Sequence, residues 1–74
     1  MKRNILLELG KELELLDTKV VKLSKFIDTK NYRDLSMVSQ LLLSSQLTAM
    51  ATYINILVVR IALLKSEEEK WKMQ

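Results

Sequence analysis

The sequence contains no cysteine, histidine or proline, and Gly10 is its only glycine. Without cysteine the chain can form no disulfide. Without histidine as well, it lacks the usual ligands of zinc sites and the side chains that most often activate a nucleophile. A single glycine excludes the glycine-rich loops that bind phosphate. We therefore predict a protein that is not an enzyme and that holds no metal and no cofactor.

The chain is short for the amount of apolar surface it carries. Its 74 residues form one small domain over residues 1–74, and 49% of them are apolar. Small domains bury too little surface to be stable alone, and with disulfides and zinc excluded the remaining source of stability is oligomerisation. The net charge of +3 is compatible with an anionic ligand. It is well below the density that duplex DNA binding requires, so no duplex DNA is expected as a partner.

Two long stretches of apolar residues spaced three and four apart predict two helices. We place the first at residues 3–28, a connector rich in turn-forming residues at 29–36, and the second helix at 37–70 with Ser36 as its N-cap. Antiparallel pairing aligns the two stripes without a slip, with Leu16 beside Met50 and Leu9 beside Leu57. The predicted fold is all-α, an antiparallel two-helix hairpin. Its stripes are Leu6, Leu9, Leu13, Leu16, Val20, Leu23 and Ile27, and Leu43, Leu47, Met50, Ile54, Leu57, Ile61 and Leu64.

The second helix is apolar on more sides than one partner helix can cover. We therefore predict a helical homo-oligomer whose interface contains Leu42, Ala49, Ile56 and Leu63. A strip of short polar residues also follows this helix, formed by Ser45, Thr48, Thr52 and Asn55. This strip fits close helix packing in the oligomer, a wall facing a ligand, or plain surface.

Residues 41–64 are long and apolar enough to be weighed as a transmembrane helix, because Arg60 is their only charge. An arginine near the middle of a span costs about 2.5–3.5 kcal/mol on insertion scales. The apolar stripe of the first helix would also have no use in lipid. We therefore expect no membrane partner.

Gln46, Tyr53 and Arg60 recur every seven residues along one edge of the predicted seam, beside Lys19 and Glu12 of the first helix. They could be a flanking row, with Arg60 in an ion pair with Glu12 or Glu8. They could instead form a ligand site, in which Tyr53 stacks on a base and Arg60 binds phosphate. Thr52 and Asn55 would add hydrogen-bonding groups to such a site. The connector is a second candidate, through Lys30, Tyr32 and Arg33, unless it is simply a solvated turn.

The middle of the chain resembles short helical-hairpin proteins of phages and prophages that are related to a crAss-like phage protein. The residues that carry the resemblance are Lys22, Leu23, Phe26, Ile27, Tyr32, Gln40, Leu42, Leu43, Gln46, Leu47, Ala49, Met50, Tyr53, Ile56, Leu57 and Arg60. At residues 36–39 this chain has SMVS, where an acidic helix start is usual.

The resemblance implies an accessory phage protein in the cytoplasm of a host bacterial cell. By architectural analogy with oligomeric sponges, it would sequester a cyclic nucleotide or ADP-ribose-type immune signal. The alternatives are a host-virus role as a protein-binding inhibitor of a host enzyme, acting through an exposed helix face, and a structural coiled-coil protein.

Overall fold

The computed structural model describes the backbone of residues 2–72 and the side chains of residues 4–67. It contains three helices: α1 (Lys2–Ile27), α2 (Lys30–Arg33) and α3 (Met37–Lys72). This part of the chain has no β-strand, so the all-α prediction is confirmed. The bounds of both long helices lie within two residues of the predicted ones. The connector differs from expectation, because it contains the short helix α2.

The two long helices pack against each other and form a rod with extents of 59 × 16 × 14 Å. Among the described residues, Leu9 and Leu57 are the only buried hydrophobic side chains. Every other position of the two predicted stripes is half-buried. A pair of helices covers only one side of each partner, which leaves this core open along its edges. Assembly of the pair into an oligomer stays a prediction.

Side-chain hydrogen bonds define the turn between α1 and α3. Thr29 caps α2 by accepting a hydrogen bond from the backbone N–H of Tyr32 at 3.3 Å. Ser36 caps α3, as predicted, by accepting from the N–H of Ser39 at 3.1 Å. These caps satisfy backbone donors that a helix start leaves unpaired, which explains why four residues of the connector become helical.

The side of α3 that faces away from α1 is exposed and almost without charge. The predicted interface residues Leu42, Ala49, Ile56 and Leu63 are all exposed in the single chain. Within the described residues, Met37–Glu67 is the one segment long and apolar enough to cross a membrane. That finding rests on length and composition, criteria that helices of soluble proteins also meet.

Candidate functional site

One long edge of the helix pair brings α1 and α3 together through a tyrosine and a carboxylate. The hydroxyl of Tyr53 donates a hydrogen bond to Oε1 of Glu12 at 2.5 Å. This bond raises the pKa of Tyr53 above its ordinary value of 10.0, because ionisation would remove the proton that Glu12 accepts. The positive charge of Arg60 acts in the opposite direction and lowers the same pKa. Tyr53, Glu12 and Arg60 are therefore close enough to form one electrostatic group.

Arg60 is the member of that group without a bonded partner among the described residues. It is exposed, and among the described residues it takes part in no ion pair or hydrogen bond. The expected ion pair with Glu12 or Glu8 is not formed among the described residues, and Oε1 of Glu12 accepts from the Tyr53 hydroxyl instead. An arginine presents several N–H donors in a planar fork, which suits the oxygens of a phosphate or a carboxylate. Here that fork is free to bind an anion.

A groove of about 350 Å³ starts at Arg60 and runs onto the outer side of α3. It is lined by Thr52, Asn55, Ile56, Val59 and Arg60. Small-molecule sites commonly occupy about 300–1,000 Å³ and combine apolar walls with a few polar groups. The groove reaches the lower end of that size range, and the surface it presents is apolar, with the polar groups of Asn55 and Arg60 at its rim rather than on its floor. All its lining residues come from one helix, so it is a single wall that opens to solvent.

The threonines of α3 have already satisfied their hydroxyl donors. Thr52 donates to the backbone carbonyl of Thr48 at 3.0 Å, and Thr48 donates to that of Ser44 at 3.2 Å. Each threonine therefore presents mainly its methyl group to the outside. Asn55 is the groove residue whose side-chain amide has no partner among the described residues. Asn55 and Arg60 are thus the groups available to recognise a polar ligand.

The second predicted site, at the connector, has a different character. The Tyr32 hydroxyl donates to the backbone carbonyl of Gln40 at 2.9 Å, and its ring meets Phe26 edge-on with centroids 6.1 Å apart. Nε2 of Gln40 in turn donates to the carbonyls of Arg33 and Leu35 at 3.1 and 2.9 Å. Tyr32 thus stabilises the turn. The side chains of Lys30 and Arg33 remain exposed on α2.

The structure therefore divides the predicted site residues into separate places. Tyr53 lies at the edge shared with α1, and Arg60 links that edge to the groove that contains Thr52 and Asn55. Gln46 is exposed one heptad before Tyr53 and forms no hydrogen bond among the described residues. Sequence reasoning missed Glu12 as the partner of Tyr53, although the predicted register already placed the two residues side by side.

Comparison with known proteins gives one result. The family model described as Sequestin matches residues 6–63, which include both helix stripes except Leu64, the connector and every predicted site residue. No curated protein and no solved structure matches the chain. Because the matched segment makes up most of its length, the chain belongs to the Sequestin family.

Proposed function

We propose that this protein is a non-enzymatic phage accessory protein of anti-defence type. It binds a phosphorylated nucleotide immune signal, a cyclic nucleotide or an ADP-ribose-type molecule, and holds it in pockets of a helical homo-oligomer. The name of the Sequestin family is compatible with a sequestering, binding role. The phage origin, the signal and the host cytoplasm as the place of action are parts of the proposal.

The observation that carries the proposal is the guanidinium of Arg60, which has no hydrogen-bond or ion-pair partner among the residues that the structure describes. Its charge acts on the Tyr53 hydroxyl, and its side chain also lines the groove with Asn55. Tyr53 and Arg60 are two helical turns apart, about 10.5 Å along the axis. One ligand can therefore stack a base on the tyrosine and place a phosphate on the arginine. Gln46 and Thr52 lie within reach of a ligand that extends along α3.

Binding without turnover agrees with the composition of the chain. With no histidine and no cysteine, the chain offers neither the usual general base nor a thiolate nucleophile. The cation at this site can hold a phosphate, while the one carboxylate of the site, Glu12, accepts the Tyr53 hydroxyl. A sequestering protein of this kind works by stoichiometry, so its affinity and its concentration determine how much signal it removes.

Calorimetric titration against cyclic di- and trinucleotides and ADP-ribose derivatives tests the proposal. We expect binding of at least one of them, followed by recovery of the unchanged molecule when the protein is denatured with heat and the supernatant is analysed by mass spectrometry. A modified product would contradict the non-enzymatic role. The absence of binding to every nucleotide tested would contradict the proposed ligand class.

A protein-binding inhibitor is the second candidate, and the exposed outer side of α3 favours it. Leu41, Leu42, Val59 and Leu63 each expose more than half of their surface in the single chain. Such a patch is typical of a surface that binds another protein. An inhibitor would co-purify with one host enzyme and would show no response to nucleotides.

A further inference from the structure

The single chain exposes more surface than a compact protein of its mass. Its accessible surface is 6125 Å², whereas a folded monomer of 8.6 kDa is expected to expose about 4,700 Å². The excess is about 1,400 Å² per chain. Obligate homodimers bury about 1,000–2,500 Å² per partner, so one interface of ordinary size would remove this excess.

The outer face of α3 is the surface whose composition best suits an interface with another chain. We define it as the stripe opposite the core, formed by Leu41, Ser45, Thr48, Thr52, Asn55 and Val59, all of which are exposed. Their steps of four and three residues repeat the spacing of a coiled-coil seam. The interface stripe predicted from sequence is a different one. It runs through Leu42 and Ile56 and lies at the margin of the outer face.

The hydrogen bonds of two threonines lower the cost of taking this stripe out of water, while the amide of Asn55 has to find a partner in the second copy. The outer face carries no charge, and the hydroxyls of Thr48 and Thr52 are bonded to carbonyls of their own helix. Burying the two threonines therefore leaves no hydroxyl donor unpaired. Their short side chains also allow two helices to approach closely.

Lipid fits this face less well than protein does. The helix α1 packs along α3, and Tyr53 of α3 is bonded to Glu12 of α1. A bilayer around α3 would have to accept the exposed charges of α1 as well, among them Lys11, Glu14 and Lys22. Charges at the bilayer centre are expensive. A second copy of this chain presents instead an uncharged stripe of the same composition.

We infer that the outer face of α3 packs against the α3 of a second copy, and that this copy supplies the missing wall of the groove at Arg60. The groove residues Thr52, Asn55 and Val59 lie on or beside the stripe, so a partner seated on it faces the groove directly. The account of the groove rests on the proposed function, while the association of the two copies does not. Association is therefore expected in the absence of ligand.

Two matched threonines provide the first test. Thr48 in α3 and Thr18 in α1 are both exposed, and both donate to the carbonyl four residues earlier. Glutamate has a higher helix propensity than threonine, so neither Thr48→Glu nor Thr18→Glu should unfold its helix. Burying an unpaired charge is strongly unfavourable. In sedimentation velocity, Thr48→Glu should weaken association by at least about 100-fold, while Thr18→Glu should sediment as the wild type does. Equal behaviour of the two variants, or a monomeric wild type at micromolar concentration, would overturn the inference.

Oxidative crosslinking provides the second test, and it does not depend on how Thr48→Glu folds. The natural chain has no cysteine, so a single cysteine introduced at each outer-face position in turn can pair only with another copy. Disulfides require Cα atoms within about 7 Å. At least one outer-face variant should form a crosslinked dimer, whereas Thr18→Cys should not. An uncrosslinked outer face in a protein that sediments as a dimer would place the interface elsewhere.

Two further readouts separate the inference from its rivals. Flotation of the wild type with phosphatidylethanolamine–phosphatidylglycerol vesicles, abolished by Thr48→Glu, would identify lipid as the occupant and overturn the inference. Once a nucleotide is known to bind, Thr48→Glu should lose binding together with association. Retained binding by the monomeric variant would show that the partner contributes no wall to the groove. Association without any nucleotide binding would contradict only the proposed function.

Discussion

The outer sides of α1 and α3 are both exposed, yet they differ in what they display. The outer side of α1 alternates charges of both signs, including Lys11, Glu14 and Lys22, whereas α3 has no charge from residue 37 to residue 59. Both sides carry threonines bonded to their own helix. Exposure in a single chain therefore does not distinguish a finished surface, meaning one that stays in contact with water, from a surface that binds another chain. The charge content does, because charges stabilise contact with water and oppose contact with protein.

The largest expected effect is a loss of stability on mutation of the buried core, which belongs to neither outer side. Leu57 is fully buried and lies on the inner stripe of α3, whereas Leu15 is 66% exposed on α1. Leu57→Ala should lower the free energy of unfolding by about 2–5 kcal/mol, because it removes packed atoms and leaves a cavity. Leu15→Ala should change it by no more than about 0.5 kcal/mol. Urea denaturation at one fixed protein concentration measures both. Equal losses would show that α1 also uses its outer side in packing.

The next effect concerns ligand binding, and two arginines allow a matched comparison. Arg60 lines the groove on α3, and Arg33 lies exposed in the connector. Arg60→Ala should weaken nucleotide binding by about one to two decades, since a hydrogen bond to a charged group contributes about 1.5–3 kcal/mol. Arg33→Ala should leave the dissociation constant unchanged. Calorimetry measures the dissociation constants of the two variants. Loss of binding in Arg33→Ala alone would place the site at the connector instead.

The same arginine is expected to contribute little to folding. Because Arg60 has no ion pair among the described residues, Arg60→Ala should keep the melting temperature and the helical circular dichroism of the wild type. A large drop in melting temperature would instead make Arg60 a structural residue.

A smaller, stabilising effect is expected on α1. Gly10 lies within the helix, and a Cβ built there would meet nothing within 4 Å. Gly10→Ala should raise the free energy of unfolding by about 0.5–1 kcal/mol, because alanine loses less backbone freedom on folding. Urea denaturation again measures the change. Destabilisation would mean that another copy approaches α1 closely at Gly10, which would contradict the assignment of α1 as a finished surface.

The smallest effect is a change in pKa at the edge where the two helices meet. The pKa of Tyr53 is raised by its hydrogen bond to Glu12 and lowered by Arg60. Glu12→Gln should therefore lower the pKa of Tyr53, and Arg60→Ala should raise it further. Carbon-13 NMR of the tyrosine rings follows the titration, with Tyr53→Phe used to assign the signal. No difference between these variants would mean that neither the Glu12 hydrogen bond nor the Arg60 charge acts on Tyr53 in solution.

The sign of the linked stability change follows from the raised pKa. The folded state holds the Tyr53 proton more tightly than the unfolded state does, so this contribution is complete below the ordinary tyrosine pKa of 10.0. It is lost as the pH rises through the higher pKa of the folded state. Glu12→Gln should reduce this loss at alkaline pH.

Much of the fold could be predicted from the sequence because helix periodicity is a local property. The spacing of leucines located both long helices to within two residues, and all stripe positions are buried or half-buried. The helix α2 was missed because its stability comes from the Thr29 cap and from the contact of Tyr32 with Gln40. The Thr29 cap is a local signal that was overlooked, whereas the bond from Tyr32 to Gln40 exists only after the chain has turned.

The candidate site shows the same division. Sequence alone determined which residues could act. The chain has no histidine or cysteine, Arg60 is the only cation in an otherwise uncharged stretch, and Tyr53 stands seven residues before it. The tertiary structure decided how they are used. It bonded Tyr53 to Glu12, gave Arg60 no bonded partner within the described part of the chain, and placed Tyr32 in the turn. Residue type sets which hydrogen bonds and charges are possible, whereas the choice between partners of similar chemistry depends on distances that only the packing of one helix on another creates.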